Sequence, residues 1–86
     1  MDNKSSRVVP LRLAEKLRQI RTSLGLSQKE ISIRLEEYSG FRISRSSISD
    51  YERGKCEPPI PVVFAYAKMA NIFMDMLADD ALDLPE

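Results

Sequence analysis

Apolar residues recur at helical spacing near the beginning of the chain. Over residues 11–24, spacings of four, three and four residues place them on one face of a helix, which Gly25 ends. This stripe comprises Leu13, Leu17, Ile20 and Leu24. The same segment contains three cations, and we interpret at least two of them as solvated charges: Lys16, Arg18 and Arg21.

A second helix is predicted from its capping pattern. Ser27 and Glu30 have the spacing of a capping box, in which the serine hydroxyl and the glutamate carboxylate each accept a free backbone N–H. Gly40 is a C-terminal stop, so we expect the helix to end near Tyr38 or Ser39. Its inward face is predicted to contain Ile31, Leu35 and Tyr38.

A third helix, poor in apolar residues, is predicted from Ser44 through Tyr51 or Arg53. Ser44 is suited to cap it, and we expect Phe41–Ile43 to form an extended connection with both apolar side chains in the core. Apart from Ile48 and Tyr51, the helix consists mainly of short polar residues and a cation. Because short polar residues are poor choices for helix stability alone, we infer that this helix presents its side chains to a ligand.

Two more helices are predicted after a proline-rich link at residues 55–61. The fourth runs from about Pro61 to Asn71, with its proline in the first turn. Its inward stripe is predicted to contain Val63, Phe64, Ala67 and either Met69 or Ala70. A short fifth helix is predicted from Phe73, Met74, Met76 and Leu77. Because no segment alternates as a strand does, the pattern indicates an all-α protein.

Charge is unevenly distributed along the chain, although the net charge is zero. Residues 1–71 contain all thirteen basic residues and eight acidic ones, a net charge of +5, whereas residues 72–86 contain five acids and no base, a net charge of −5. This asymmetry is compatible with a phosphate-facing body and an acidic end kept away from it. We expect a flexible polar arm over 1–10, one domain over 11–78 and a frayed acidic tail over 79–86.

Several classes of function are disfavoured by what the sequence lacks. The polar N-terminus has no signal peptide, and the longest apolar run, Val62–Ala67, is too short to cross a bilayer, so we expect a soluble cytosolic protein without a membrane partner. With no histidine and Cys56 as the single cysteine, neither a disulfide within the chain nor a zinc site is expected. There is no glycine-rich phosphate loop or nucleophile elbow, and we predict neither a cofactor nor an enzymatic activity.

A combination of motifs links the predicted helices to a known family. It consists of LSQKEI at 26–31, ISRSSISDYERGK at 43–55, Pro58, and YAKMANI at 66–72. Together they resemble the lambda-repressor-like (XRE/Cro-type) helix-turn-helix transcriptional regulators over about residues 13–77. The resemblance implies a compact five-helix bundle in which helices two and three form the helix-turn-helix and helix three enters the major groove of duplex DNA.

The resemblance also implies roles for individual residues. Base-reading positions on the recognition helix, about 45–53, match Arg45, Ser46, Ser49 and Asp50. Arg45 is suited to hold guanine O6 and N7 as a bidentate pair, whereas for Asp50 we favour holding Arg45 or Arg53 over contacting cytosine or excluding wrong sequences. Phosphate-contacting positions match Gln28, Arg42, Ser44, Arg53 and Lys55. Core positions match Ile48 and Tyr51, and Glu52 is expected to be a structural partner of an arginine.

The chain departs from the family pattern between the two motif helices. The connection Glu36–Arg42 is several residues longer than usual, and the extra length is expected either to extend helix two or to form a protruding loop. Such a loop, like the acidic tail, is a candidate surface for a protein partner. An alternative function is therefore an antitoxin-like or adaptor module in which DNA binding is secondary.

The favoured function is sequence-specific transcriptional regulation, most simply repression, by a homodimer on a palindromic operator. One such domain buries little DNA surface, and two-fold operators mirror dimeric proteins. The predicted dimer contact is Phe73, Met74, Met76 and Leu77, whose alternative role is to close the core. The resemblance implies a bacterial, phage or plasmid-encoded protein of the cytoplasm, associated with the nucleoid.

Overall fold

Five α-helices make up the described part of the chain, which comprises residues 12–79 and 82–84 of a computed structural model. They are α1 (Leu13–Ser23), α2 (Gln28–Ser39), α3 (Arg45–Glu52), α4 (Ile60–Ala70) and α5 (Asp75–Ala78). No strand occurs in these residues, and the predicted all-α five-helix bundle is confirmed. The predicted arm over residues 1–10 lies outside the described residues.

The ends of α2 follow the local rules of helix capping. The Glu30 N–H donates to Ser27 Oγ at 3.0 Å, and the Ser27 N–H donates to Glu30 Oε1 at 2.8 Å, so the predicted capping box is present. Gly40 ends the helix in the left-handed conformation, with φ of 78°, which a glycine adopts without a steric cost. The helix ends at Ser39, as expected.

The additional residues between the motif helices are divided between a longer α2 and a short connection. The segment 36–39 is helical, and residues 40–44 link α2 to α3 without regular structure. Of the two expected alternatives, extension of α2 accounts for the larger part of the additional residues.

The core lies where α2 packs against α3 and α4, and where α1 packs against α3, α4 and α5. Its buried apolar members are Leu13, Leu17, Ile20, Ile31, Leu35, Ile43, Ile48, Val62, Val63, Ala65, Tyr66, Ala67 and Leu77. Each fully buried aliphatic side chain contributes about 1.5–3 kcal/mol to folding. The central α4 supplies five of these residues, so it holds the other helices around it.

Four apolar residues predicted to face inward are exposed instead. Leu24 follows the end of α1, and Tyr38 lies in the extended last turn of α2, where it is 51% exposed. Phe41 follows the left-handed Gly40 and is 44% exposed, although Ile43 in the same connection is buried as predicted. Phe64 is 50% exposed because the nearby Val63 and Tyr66 occupy the inward face of α4.

The cations of α1 are less solvated than expected. Arg18 is exposed, but Lys16 is completely buried and its Nζ donates to the carbonyl oxygens of Met76, at 2.7 Å, and Asp79, at 2.8 Å. These carbonyls lie at the C-terminal end of α5, where a cation is favoured by the helix dipole. Lys16 therefore attaches α5 to α1.

Part of the acidic segment after α5 contacts α1. Asp83 Oδ1 lies 2.7 Å from Arg12 Nη2, and Leu84 is partly buried against the core. The described residues of the predicted acidic tail are therefore held against the bundle by contacts that include this ion pair, the packing of Leu84 and the hydrogen bond from Lys16 to Asp79. Among the residues that the structure describes, no helix is both long and apolar enough to cross a membrane.

Candidate nucleic-acid interface

The α3 helix has one buried anchor and a polar outer surface. Ile48 is completely buried, whereas Arg45 and Ser46 are exposed. Ser49 and Asp50 are half-buried. At 100° per residue, these four polar positions fall within an arc of about 140°, in which Ser46 and Asp50 lie opposite Ile48 and Arg45 lies at the edge nearest to it. The structure thus brings the four residues predicted to read bases onto one helical face.

The N-terminus of α3 is organised by serine hydroxyls. Ser44 has an extended backbone, and its Oγ accepts the Ser47 N–H at 3.1 Å, so its predicted capping role is confirmed. The same oxygen lies 3.0 Å from both Ser46 Oγ and Ser47 Oγ. Since no acidic residue occurs in the first turn, the positive end of the helix dipole is not neutralised there.

Glu52, the last residue of α3, is the centre of a polar network between three helices. Its carboxylate accepts from Arg21 Nε at 2.7 Å and from Arg21 Nη2 at 3.1 Å, which confirms the expected arginine partner. Arg21 Nη1 also donates to the Leu26 carbonyl at 3.0 Å. The hydrogen bond with Glu52 raises the pKa of Arg21, so the arginine remains charged. The network attaches α3 to α1 and to the start of α2.

Gln28 joins the same network from the first turn of α2. Its Nε2 donates to Glu52 Oε1 at 3.3 Å, a contact that the sequence analysis did not anticipate. The spacing of these residues along the chain offers no local signal for the contact. The amide is thereby held beside the N-terminus of α2, where the helix dipole favours an anion.

The predicted phosphate-contacting cations border α3. Arg42 precedes the helix, while Arg53 and Lys55 follow it, and all three are exposed. Arg53 Nη2 lies 3.4 Å from Asp50 Oδ1, which is a contact of the kind that the favoured interpretation of Asp50 requires. Arg45 is also exposed, which adds a fourth cation to this surface.

Tyr66 is a buried polar group that the inward stripe predicted for α4 omitted. Its side chain is completely buried, and its hydroxyl has no hydrogen-bond partner in the part of the chain that the structure describes. Burial raises the pKa of Tyr66, and the negative charge of Glu52 raises it further. The phenol therefore remains neutral and fills space beside the Arg21–Glu52 pair.

The four residues predicted to form a dimer contact differ in how far they are buried. Leu77 is completely buried, so for this residue the structure assigns the alternative role of closing the core. Met74 and Met76 are half-buried. Phe73 is 81% exposed, the largest exposed fraction among the large apolar side chains of the described residues. Phe73 is thus the member of the group that is available to a second molecule.

Comparison with known proteins supports the sequence interpretation. The family described as helix-turn-helix domain matches residues 12–72, which include α1 to α4. No curated protein sequence matches the chain. Among solved structures, the P22 c2 repressor in complex with a synthetic operator is similar, with a TM-score of 0.62 and 26% identity. The match covers 79% of this chain and 94% of the repressor chain, and it confirms the lambda-repressor-like resemblance.

Proposed function

Since the chain belongs to the helix-turn-helix domain family, we propose that it is a transcriptional regulator that binds duplex DNA with α3 in the major groove. One observation carries the proposal: Ile48 anchors a helix whose opposite face presents polar side chains to solvent. The likeness to a repressor structure that contains an operator supports the same conclusion.

Four side chains of α3 are proposed to face the base edges. Arg45, exposed in the first turn, donates to guanine O6 and N7, and this pair is worth about 1–3 kcal/mol of discrimination. Ser46 and Ser49 have hydroxyls that both donate and accept, so they suit either base of a pair. Asp50 orients Arg53, and its carboxylate repels the hydrogen-bond acceptor groups that wrong base pairs would place beside it.

The phosphate contacts are proposed to lie on both sides of this helix. Gln28 and the free N–H groups at the start of α2 bind one phosphate, and Glu52 orients the side-chain amide of Gln28. Ser44, at the start of α3, contacts another. Exposed cations neutralise further phosphates and position the domain without reading sequence: Arg42, Arg53 and Lys55.

We propose further that the protein acts as a homodimer on a palindromic operator and represses transcription in a bacterial, phage or plasmid context. A two-fold operator requires a self-complementary protein contact. Phe73, with Met74 and Met76 beside it, is the proposed contact because it is an exposed aromatic residue next to α5. The place of action is then the cytoplasm, at the nucleoid.

This function is tested by selecting duplex DNA from a randomised pool. A salt concentration of about 150 mM weakens non-specific phosphate binding, so that sequence preference can be measured. The wild type is expected to enrich a palindromic sequence, and Arg45→Ala to lose preference at one position in each half-site. Arg18→Ala removes an exposed arginine of α1 and is the matched control, which should select the wild-type sequence. Failure of the wild type to enrich any sequence would refute the proposal.

A protein-interaction module is the second candidate function. The observation that favours it is the −5 charge of residues 72–86, which suits a basic partner protein. The dependence of binding on salt separates the two functions. For an operator complex, Lys55→Ala should reduce the slope of log affinity against log salt by about 1, whereas Lys68→Ala on α4 should not. If the tail binds a partner protein instead, neither substitution should change the slope measured for that complex.

A further inference from the structure

Two aromatic side chains are exposed around the connection between α2 and α3. Tyr38 is 51% exposed and Phe41 is 44% exposed, although each had been expected in the core. Between them Gly40 turns the chain in the left-handed conformation. Since burial is the ordinary place for large aromatic side chains, their exposure at one turn requires an explanation.

The backbone at Phe41 is held in place by residues that precede and follow it in the chain. On one side, its N–H donates to Ser39 Oγ at 3.1 Å, and the Gly40 N–H donates to the Glu36 carbonyl at 2.8 Å. On the other side, Ile43 is buried and anchors the connection in the core. An exposed aromatic residue on a backbone held in this way loses little conformational entropy when it makes a contact.

Phe41 is also near the end of α3 that is proposed to enter the groove. Only Arg42 and Ile43 lie between it and the capping Ser44, which limits the distance between the Cα atoms of Phe41 and Ser44 to about 10 Å. The first residues of α3 after that cap, Arg45 and Ser46, are exposed. A contact made by Phe41 would therefore adjoin the base pairs that Arg45 reaches.

Two exposed cations lie near Phe41 on the side of α3. Arg42 and Arg45 are the charged residues of the segment 40–46, whereas Glu36 and Glu37 lie in the last turn of α2. The two cations complement a polyanion that approaches the start of α3. On the surface of duplex DNA, the apolar group that an aromatic side chain contacts in the major groove is the 5-methyl group of thymine.

We propose that Phe41 packs against a thymine methyl group at the edge of each operator half-site and so extends base reading beyond α3. The inference rests on the proposed function, because it requires α3 in the major groove. It assigns the longer connection between the motif helices a role in specificity, in addition to the role proposed for the four polar residues of α3.

Replacement of thymine by uracil, one position at a time, tests the contact on the selected duplex. At one thymine per half-site, loss of the methyl group is expected to weaken wild-type binding about fourfold, the effect of one buried methyl-sized group. Phe41→Ala should be weakened to a similar extent and should then be indifferent to the same replacement. Phe64→Ala, an aromatic residue of α4 with similar exposure, is the matched control and should respond as the wild type does.

The outcomes separate this inference from the proposed function. Phe41→Ala is expected to remain folded, which thermal unfolding checks, because the side chain is 44% exposed and lies outside the buried core. If Phe41→Ala retains wild-type sensitivity to uracil at every position, or weakens all duplexes equally, Phe41 does not read thymine and the inference is wrong. If Arg45→Ala relaxes specificity in the same experiment, the proposed function still stands. If no duplex is selected at all, both fail.

Discussion

Glu52 of α3 binds Arg21 of α1 through both of its carboxylate oxygens, with Oε2 2.7 Å from Nε and Oε1 3.1 Å from Nη2. The Glu52 side chain is 4% exposed and that of Arg21 is 17% exposed, so water screens the pair weakly. Because Gln28 of α2 donates to the same carboxylate, one residue connects the first three helices. The orientation of α3 relative to the rest of the bundle depends on this connection.

Glu52→Gln is expected to lower the free energy of unfolding by about 2–3 kcal/mol. The substitution leaves Arg21 buried without its counter-charge, and breaking a fully buried pair costs about 3–5 kcal/mol, which partial exposure of Arg21 reduces. Urea unfolding at neutral pH measures the change. Glu37→Gln, on the exposed surface of α2, is the control and should change stability by less than about 0.5 kcal/mol. A similar small effect at Glu52 would show that the pair is not stabilising.

Lys16→Met is expected to destabilise the protein and to release α5. Methionine has a similar shape but leaves the Met76 and Asp79 carbonyls without their donor, which costs about 1–3 kcal/mol. Amide hydrogen exchange should show faster exchange at Leu77 and Ala78 than in the wild type. Lys29→Met removes an exposed lysine of α2 and should leave α5 protected. Unchanged protection in Lys16→Met would mean that apolar packing of Leu77 alone holds this helix.

Local signals account for the parts of the fold that the sequence predicted. The two capping serines, Ser27 and Ser44, define where α2 and α3 begin, because a cap depends on residues within one turn. The periodicity of α1 identified Leu13, Leu17 and Ile20 as core. The pattern failed in α4, where apolar residues occur on every face and the choice between Phe64 and Tyr66 depends on neighbouring helices.

The candidate site shows the same division between local and long-range information. The family resemblance indicated Arg45, Ser46, Ser49 and Asp50, and their helical spacing places them within one arc of α3. The contacts that hold this face in position join residues far apart in the chain, as Arg21 and Glu52 do, or Gln28 and Glu52. The family resemblance indicated an arginine partner for Glu52, but which arginine follows only from the packing of α1 against α3.

Stability is expected to depend on pH through the capping box of α2. The Ser27 N–H donates to the Glu30 carboxylate, and this hydrogen bond, with a second from the Ser27 hydroxyl, lowers the pKa of Glu30. A carboxylate whose pKa is lowered by folding contributes stability that is fully present above its unfolded pKa and is lost as pH falls through its folded pKa. Wild type should therefore be more stable than Glu30→Gln at neutral pH.

The two proteins should converge in acid. Glutamine keeps an oxygen that accepts the Ser27 N–H, so the comparison isolates the charge of the carboxylate. The difference in unfolding free energy should begin to shrink below the ordinary glutamate pKa, about 4.3, and vanish once Glu30 is protonated. Chemical unfolding at successive pH values measures it. A difference that stays constant through the acid range would show that charge has no part in the cap.

Phe73→Ser is expected to separate a homodimer into folded monomers. In a two-fold contact the same side chain is buried twice, and each buried phenylalanine contributes about 1.5–3 kcal/mol, so the dimer dissociation constant should rise by about a hundredfold or more. Analytical ultracentrifugation over a range of concentrations measures the change. Because Phe73 is 81% exposed in the single chain, the monomer should unfold as the wild type does.

The comparison with Phe64→Ser makes the result specific to the surface around α5. Phe64 is also an exposed aromatic residue, but it lies on α4, where Lys68 Nζ is 5.6 Å from the centre of its ring. If the dimer forms through Phe73, this control should leave the dissociation constant unchanged, and binding to a single half-site should survive in both variants. A dimer that persists in Phe73→Ser and dissociates in Phe64→Ser would place the contact on α4 instead. It would then bring two copies of α3 to the operator in a different spacing, which the separation of the selected half-sites would reveal.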